Sequence, residues 1–121
     1  MERIKNPITA DLKSKWIAAL RSEKYTQGNN ILKNVTGQTK HCCLGVLCEI
    51  SEDIKWVDDT FYVDGKSIIS NLVIFDHHDV YCYHIDLYYQ SQLIYLNDRE
   101  QKSFSEIADW IETNVQVDIC S

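Results

Sequence analysis

The order of apolar and polar positions divides the chain into recognisable pieces. In "ITADLKSKWIAALRS", Leu12, Trp16, Ala19 and Leu20 recur at helical spacing. Thr9 is placed to cap that helix, and Asp11 sits in its first turn, where a carboxylate favours the helix dipole. "EKYTQGNN" reads as the loop that ends it, and "ILKNVTGQTKHC" as two short strands about a Thr-Gly turn. "CLGVLCEI" is too densely apolar for a surface strand and predicts a buried helix. Asp64-Gly65, set between runs rich in Tyr, Val, Ser and Ile, predicts a hairpin.

Further along, "VYCYHIDLYY" alternates, with Tyr81, Tyr83, Ile85, Leu87 and Tyr89 on one parity, so both a strand and an irregular loop remain open. "SQLIYLND" predicts a short helix. "SFSEIADWIETNV" predicts a final one, opened by the capping pattern of Ser103 and Glu106 and carrying a stripe of Ile107, Trp110, Ile111 and Val115. Helices and hairpins without regular βαβ alternation predict a small α+β domain, with about four helices packed against short antiparallel β-hairpins.

A chain of 121 residues is expected to form one domain with a core that needs no disulfide or metal staple. Five cysteines, an odd number at irregular spacing, fit reduced thiols better than a secreted framework. No apolar run approaches membrane-spanning length and the first residues form no signal-peptide core, so a cytoplasmic protein is expected. The net charge of -6 conceals a segregation: residues 1–40 carry +5 and residues 41–121 carry -11. That balance disfavours a nucleic-acid polymer as partner, because such binding draws on a concentrated positive surface. The segregation, with the aromatic excess around residues 80–89, predicts a homo-oligomer.

The stretch "HCCLGVLCEI" carries the one concentration of chemically versatile side chains. A zinc site would recruit His41, Cys42, Cys43 and Cys48, but adjacent cysteines on a helix diverge by about a hundred degrees and seldom reach one ion. A nucleophilic cysteine needs a polar, electropositive pocket, and Leu44, Val46 and Leu47 supply hydrocarbon instead. Buried packing is the expected role, with neither a metal nor a cofactor required. "DHHD", with His77 and His78, reads as a polar loop, and the role of His84 stays open. Without a phosphate loop, dinucleotide fingerprint or nucleophile elbow, the expectation is a protein that is not an enzyme.

Four blocks, "KWIAALRSEKYTQGNNIL", "HCCLGVLCEI", "LIYLND" and "SFSEIADWIE", resemble in that order a family of small proteins encoded in bacteriophages and prophages. Residues from about 54 to 92 depart from its pattern. The resemblance implies a phage context, in which small non-enzymatic proteins often act on a host defence.

Polar residues within those blocks form an inventory for nucleotide binding. Arg21 offers a guanidinium for phosphate, Tyr25 an aromatic face for a base, and Gln27, Asn97 and Asp98 offer groups for ribose hydroxyls and base edges. In a purely structural role, Arg21 would cap its helix and pair with Asp98. The expected function is sequestration of a nucleotide immune signal, either a cyclic oligonucleotide or an ADP-ribose derivative. The alternative is an inhibitor or adaptor that binds a host or phage protein through an acidic, aromatic surface.

Overall fold

The computed structural model describes residues 8–29, 33–35, 37–52, 54–57, 60–63, 66–69 and 87–117. Helix α1 spans Ala10–Arg21, and the Thr9 hydroxyl accepts the Leu12 amide at its start. Strands β1 (Lys33–Asn34) and β2 (Lys40–His41) pair antiparallel. Helix α2 (Cys43–Ile50) follows, then a three-stranded antiparallel sheet of β3 (Ile54–Val57), β4 (Thr60–Val63) and β5 (Lys66–Ile69). Helix α3 (Leu87–Ile94) runs on into a π-helical segment, Tyr95–Arg99, and α4 (Phe104–Asn114) closes the described chain. The protein is therefore α+β, with four helices and short antiparallel sheets among the described residues.

Both end helices have the caps that the sequence predicts. At α4 the Ser103 hydroxyl accepts the Glu106 amide at 3.1 Å while the Glu106 carboxylate accepts the Ser103 amide at 2.9 Å, so two otherwise orphaned donors are satisfied. Its apolar stripe enters the core through Phe104, Ile107, Ala108 and Ile111. The short helix α2 is buried from Cys43 to Leu47, as so dense an apolar run requires.

Three side chains bind the helices together. Trp16 of α1 is fully buried and donates its indole N–H to the Cys43 carbonyl at 3.0 Å. Lys13 reaches the far end of α4, donating to the carbonyls of Val115 at 2.6 Å and Glu112 at 3.3 Å, where a cation suits the helix C-terminus. Arg21 pairs with Asp109 and Glu112 of α4 rather than with Asp98. That expectation is corrected because the packing of α1 on α4 brings two carboxylates within reach of the guanidinium, a long-range fact with no local signature.

Two further differences from the sequence pattern are physical. Strand β3 has no counterpart in the expectations, since "IKWV" is too short to display a period. Leu87, Tyr88 and Tyr89 are helical, not part of an alternating strand or loop, so α3 begins four residues before "SQLIYLND". Leu87 and Tyr89 share the parity of Tyr81, Tyr83 and Ile85 because two-residue spacing also occurs by chance in aromatic-rich runs. The expected Asp64-Gly65 turn, "DHHD" and His84 fall outside the described residues; β4 and β5, which are described, pair antiparallel. No helix among the described residues is long and apolar enough to cross a membrane.

Candidate functional site

Asn97 organises the centre of the molecule. π-helical turns are rare and recur at functional sites, and this one carries Asn97 to a position only 1% exposed. Its side-chain oxygen accepts from Gln27 Nε2 at 3.0 Å and from the Cys43 amide at 3.3 Å. Its amide group donates to the Gly28 carbonyl at 2.9 Å and to Asp98 Oδ1 at 2.7 Å. One side chain thus joins the loop after α1, the amino end of α2 and the π-segment. Gln27 also donates to the Lys102 carbonyl at 2.7 Å. Gly28 lies so close to β2 that a Cβ there would stand 2.9 Å from the Lys40 Cβ, and its amide bonds the His41 carbonyl at 2.7 Å.

Beside this junction α4 borders an open groove of about 360 Å³, lined by Leu96, Lys102, Glu106, Asp109, Trp110, Thr113 and Asn114. Its chemistry is mixed. An indole and a leucine give apolar surface, Lys102 a cation, Glu106 and Asp109 anions, and Thr113 and Asn114 neutral hydrogen-bonding groups. Tyr89 meets Trp110 edge-on, with ring centres 6.4 Å apart, so the indole is propped from α3. The amide bond from Ser103 and the nearby Lys102 hold the Glu106 carboxyl below its usual range.

The five residues nominated from the sequence fall into distinct positions. Gln27 and Asn97 bond each other, and Asp98 joins them through Asn97. None of the three lines the groove; Gln27 bonds the carbonyl of Lys102, a lining residue, and Asn97 follows another, Leu96, in the chain. Arg21 reaches the same lining through Asp109, and its two carboxylate partners raise the guanidinium's affinity for its proton. Tyr25 is directed elsewhere: its ring meets His41 edge-on at 5.0 Å, with the Lys24 amine 5.5 Å from its centre. Lys102, Trp110, Thr113 and Asn114 were not nominated. Trp110 reads from periodicity as part of the apolar stripe, and only its half-buried position at the groove separates it from Ile107 and Ile111.

A family model described as a domain of unknown function (DUF8296) matches residues 8–115. The chain belongs to this family. No curated protein and no solved structure matches it. The matched span of the DUF8296 domain takes in the Asn97 junction, the groove and every capped helix described above.

A second polar cluster in the DUF8296 domain surrounds Glu49. Its Oε1 accepts from Lys33 Nζ at 2.8 Å and lies 2.9 Å from His41 Nε2. An ionised carboxylate only accepts, so Nε2 carries the proton, while Nδ1 is buried with no hydrogen-bond partner among the described residues. Lys33 also stands 4.4 Å from the centre of the Trp56 ring. The hydrogen bonds from His41, then Lys33, hold the Glu49 carboxyl down at about 2 against an ordinary 4.5. A depressed folded-state value means that Glu49 stabilises the fold fully above about pH 4.5 and progressively less as pH falls toward 2. Thermal melts are expected to show the wild type losing melting temperature across that window more steeply than Glu49→Gln. Parallel acid limbs would remove the cluster from the stability of the domain.

The three cysteines among the described residues are not poised for chemistry. Cys42, Cys43 and Cys48 are free thiols, the first two buried and the third half-buried. Burial pushes the Cys42 thiol up to about 12, although the amides of Gly45 and Leu44 oppose this, and it raises Cys43 and Cys48 as well. Among the described residues no three His, Cys, Asp or Glu side chains gather as a metal set.

Proposed function

We propose that the protein captures a small nucleotide-class ligand in the groove along α4, holding it without converting it. The observation that carries this reading is the combination on one lining of an indole, an ammonium group and two carboxylates. Trp110 is suited to stack a base, a contact worth about 1–3 kcal/mol. Lys102 suits a phosphate, and Glu106 and Asp109 can accept from ribose hydroxyls. Two carboxylates disfavour a phosphate placed directly over them, so the inventory fits a ligand with free ribose diols, such as an ADP-ribose derivative, better than a cyclic oligonucleotide whose phosphates lie in the ring. In this reading Arg21, Gln27, Asn97 and Asp98 hold the lining in place, and Arg21 is already neutralised by its two partners. Set beside the resemblance to phage-encoded proteins, the reading becomes sequestration of a nucleotide immune signal.

The alternative, an inhibitor that meets a host or phage protein through an acidic, aromatic surface, draws on Trp110 with Glu106, Asp109 and Glu112. Asp109 and Glu112 already pair with Arg21, which weakens their pull on a basic partner. Calorimetry against ADP-ribose, cyclic ADP-ribose isomers and cyclic dinucleotides separates the readings. Binding of a ribose-diol ligand is expected, with Trp110→Ala weakening it by about ten- to a hundredfold while Trp110→Phe retains most of it. If nothing in the panel binds, or if Trp110→Ala binds as well as wild type in a folded state, the protein-partner reading takes precedence.

A further inference from the structure

We propose that the outer face of α3 docks a second copy of this chain, the two helices running antiparallel about a twofold axis near Ser91 and Gln92. Among the described residues, Tyr88 is 64% exposed and Tyr95 51% exposed. Tyr88 lies in α3 and Tyr95 opens the π-segment that continues it; seven positions apart, they fall on one side of this continuous helix, with exposed Ser91 and half-buried Gln92 between them. The opposite side is occupied, since Leu93 and Ile94 enter the core and Gln90 is buried.

Charge decides which occupant fits. From Leu87 to Asn97 the sequence "LYYQSQLIYLN" contains no ionisable acid or base apart from its tyrosines, in a chain whose net charge is -6 and whose residues 41–121 carry -11. A face that recruited a basic partner would carry carboxylates. A face that meets its own copy must keep like charges apart, and an uncharged stripe does so. Twofold packing also demands self-complementarity. With the axis between positions 91 and 92, Tyr88 of one copy faces Tyr95 of the other at both ends, and the small Ser91 lets the helices approach at the middle. Tyrosine suits such a contact because its ring buries area while its hydroxyl stays hydrogen-bonded. One short helix per copy covers less than a standard interface, so a dimer with micromolar affinity is expected. The inference does not depend on what the groove holds.

Sedimentation velocity on the full chain from about 5 to 200 µM tests it, a range that brackets weak association. The wild type is expected to rise from one protomer of 14.1 kDa toward two. Ser91→Arg, which sets two cations at the axis, should stay monomeric across the range, and Tyr95→Gln should weaken association at least about tenfold. Ser91 and Tyr95 are exposed, and circular dichroism melts verify that each variant is folded; Tyr95→Gln carries the test if Ser91→Arg is not. A wild type that remains monomeric, or folded variants that associate as strongly as wild type, would overturn the proposal.

Discussion

Replacing Trp16 with alanine is expected to destabilise the protein by about 4 kcal/mol, within the range of deleting a large aromatic from a packed core. The indole is fully buried at the meeting of α1 and α2, so truncation leaves a cavity between two helices that cannot both close over it. It also leaves the Cys43 carbonyl without the indole donor at the amino end of α2. Trp16→Phe restores most of the volume but not the donor, and should cost about 1–2 kcal/mol. Urea unfolding followed by circular dichroism gives both values. A loss below about 1 kcal/mol for the alanine variant would mean that α1 does not pack as described.

Asn97→Leu carries the second large effect, about 3 kcal/mol. Leucine matches asparagine closely in shape, so the change isolates hydrogen bonding from volume. It strands the buried Cys43 amide, takes a donor from the half-buried Gly28 carbonyl and removes one of the two acceptors of Gln27, which keeps the Lys102 carbonyl. Each unpaired buried group costs about 1–3 kcal/mol, and a network loses more than its separate members. Asn97→Asp is expected to be similarly harmful by another route: it retains the acceptor but loses the donor to Gly28 and sets a second carboxylate against Asp98. If Asn97→Leu unfolded at the wild-type midpoint, the junction would be surface decoration.

What the sequence discloses and what it withholds follow from the range of the forces involved. Thr9 with Leu12, and Ser103 with Glu106, declare their helices through bonds three residues long, so α1 and α4 are legible to within a residue or two. The π-segment has no comparable signature. The partners that Asn97 reaches from it, Gln27, Gly28 and Cys43, are all more than fifty positions away. The sequence marks Arg21, Gln27 and Asn97 as unusual among their neighbours. It does not disclose that Arg21 would be claimed by Asp109 and Glu112, or that Gln27 and Asn97 would turn inward to each other. Trp110 was hidden for the opposite reason. A half-buried aromatic on an apolar stripe has the same spacing as a core residue, and only the placement of Leu96, Lys102 and Thr113 around it makes a groove. His41 and Glu49 flank the apolar block of α2 eight positions apart, a spacing that becomes a contact once β2 folds back on the helix.

The ligand groove can be tested at one atom. The chain contains three tryptophans, so a proton–nitrogen correlation spectrum of labelled protein resolves three indole N–H signals, from Trp16, Trp56 and Trp110. Trp16 is sealed in the core and Trp56 stands under Lys33, whereas Trp110 lines the groove. On titration with ADP-ribose, the Trp110 signal is expected to move in a saturable manner while the Trp16 signal stays in place. Saturable binding that shifts Trp56 and leaves Trp110 untouched, or no shift of any indole at millimolar ligand, would contradict capture in this groove.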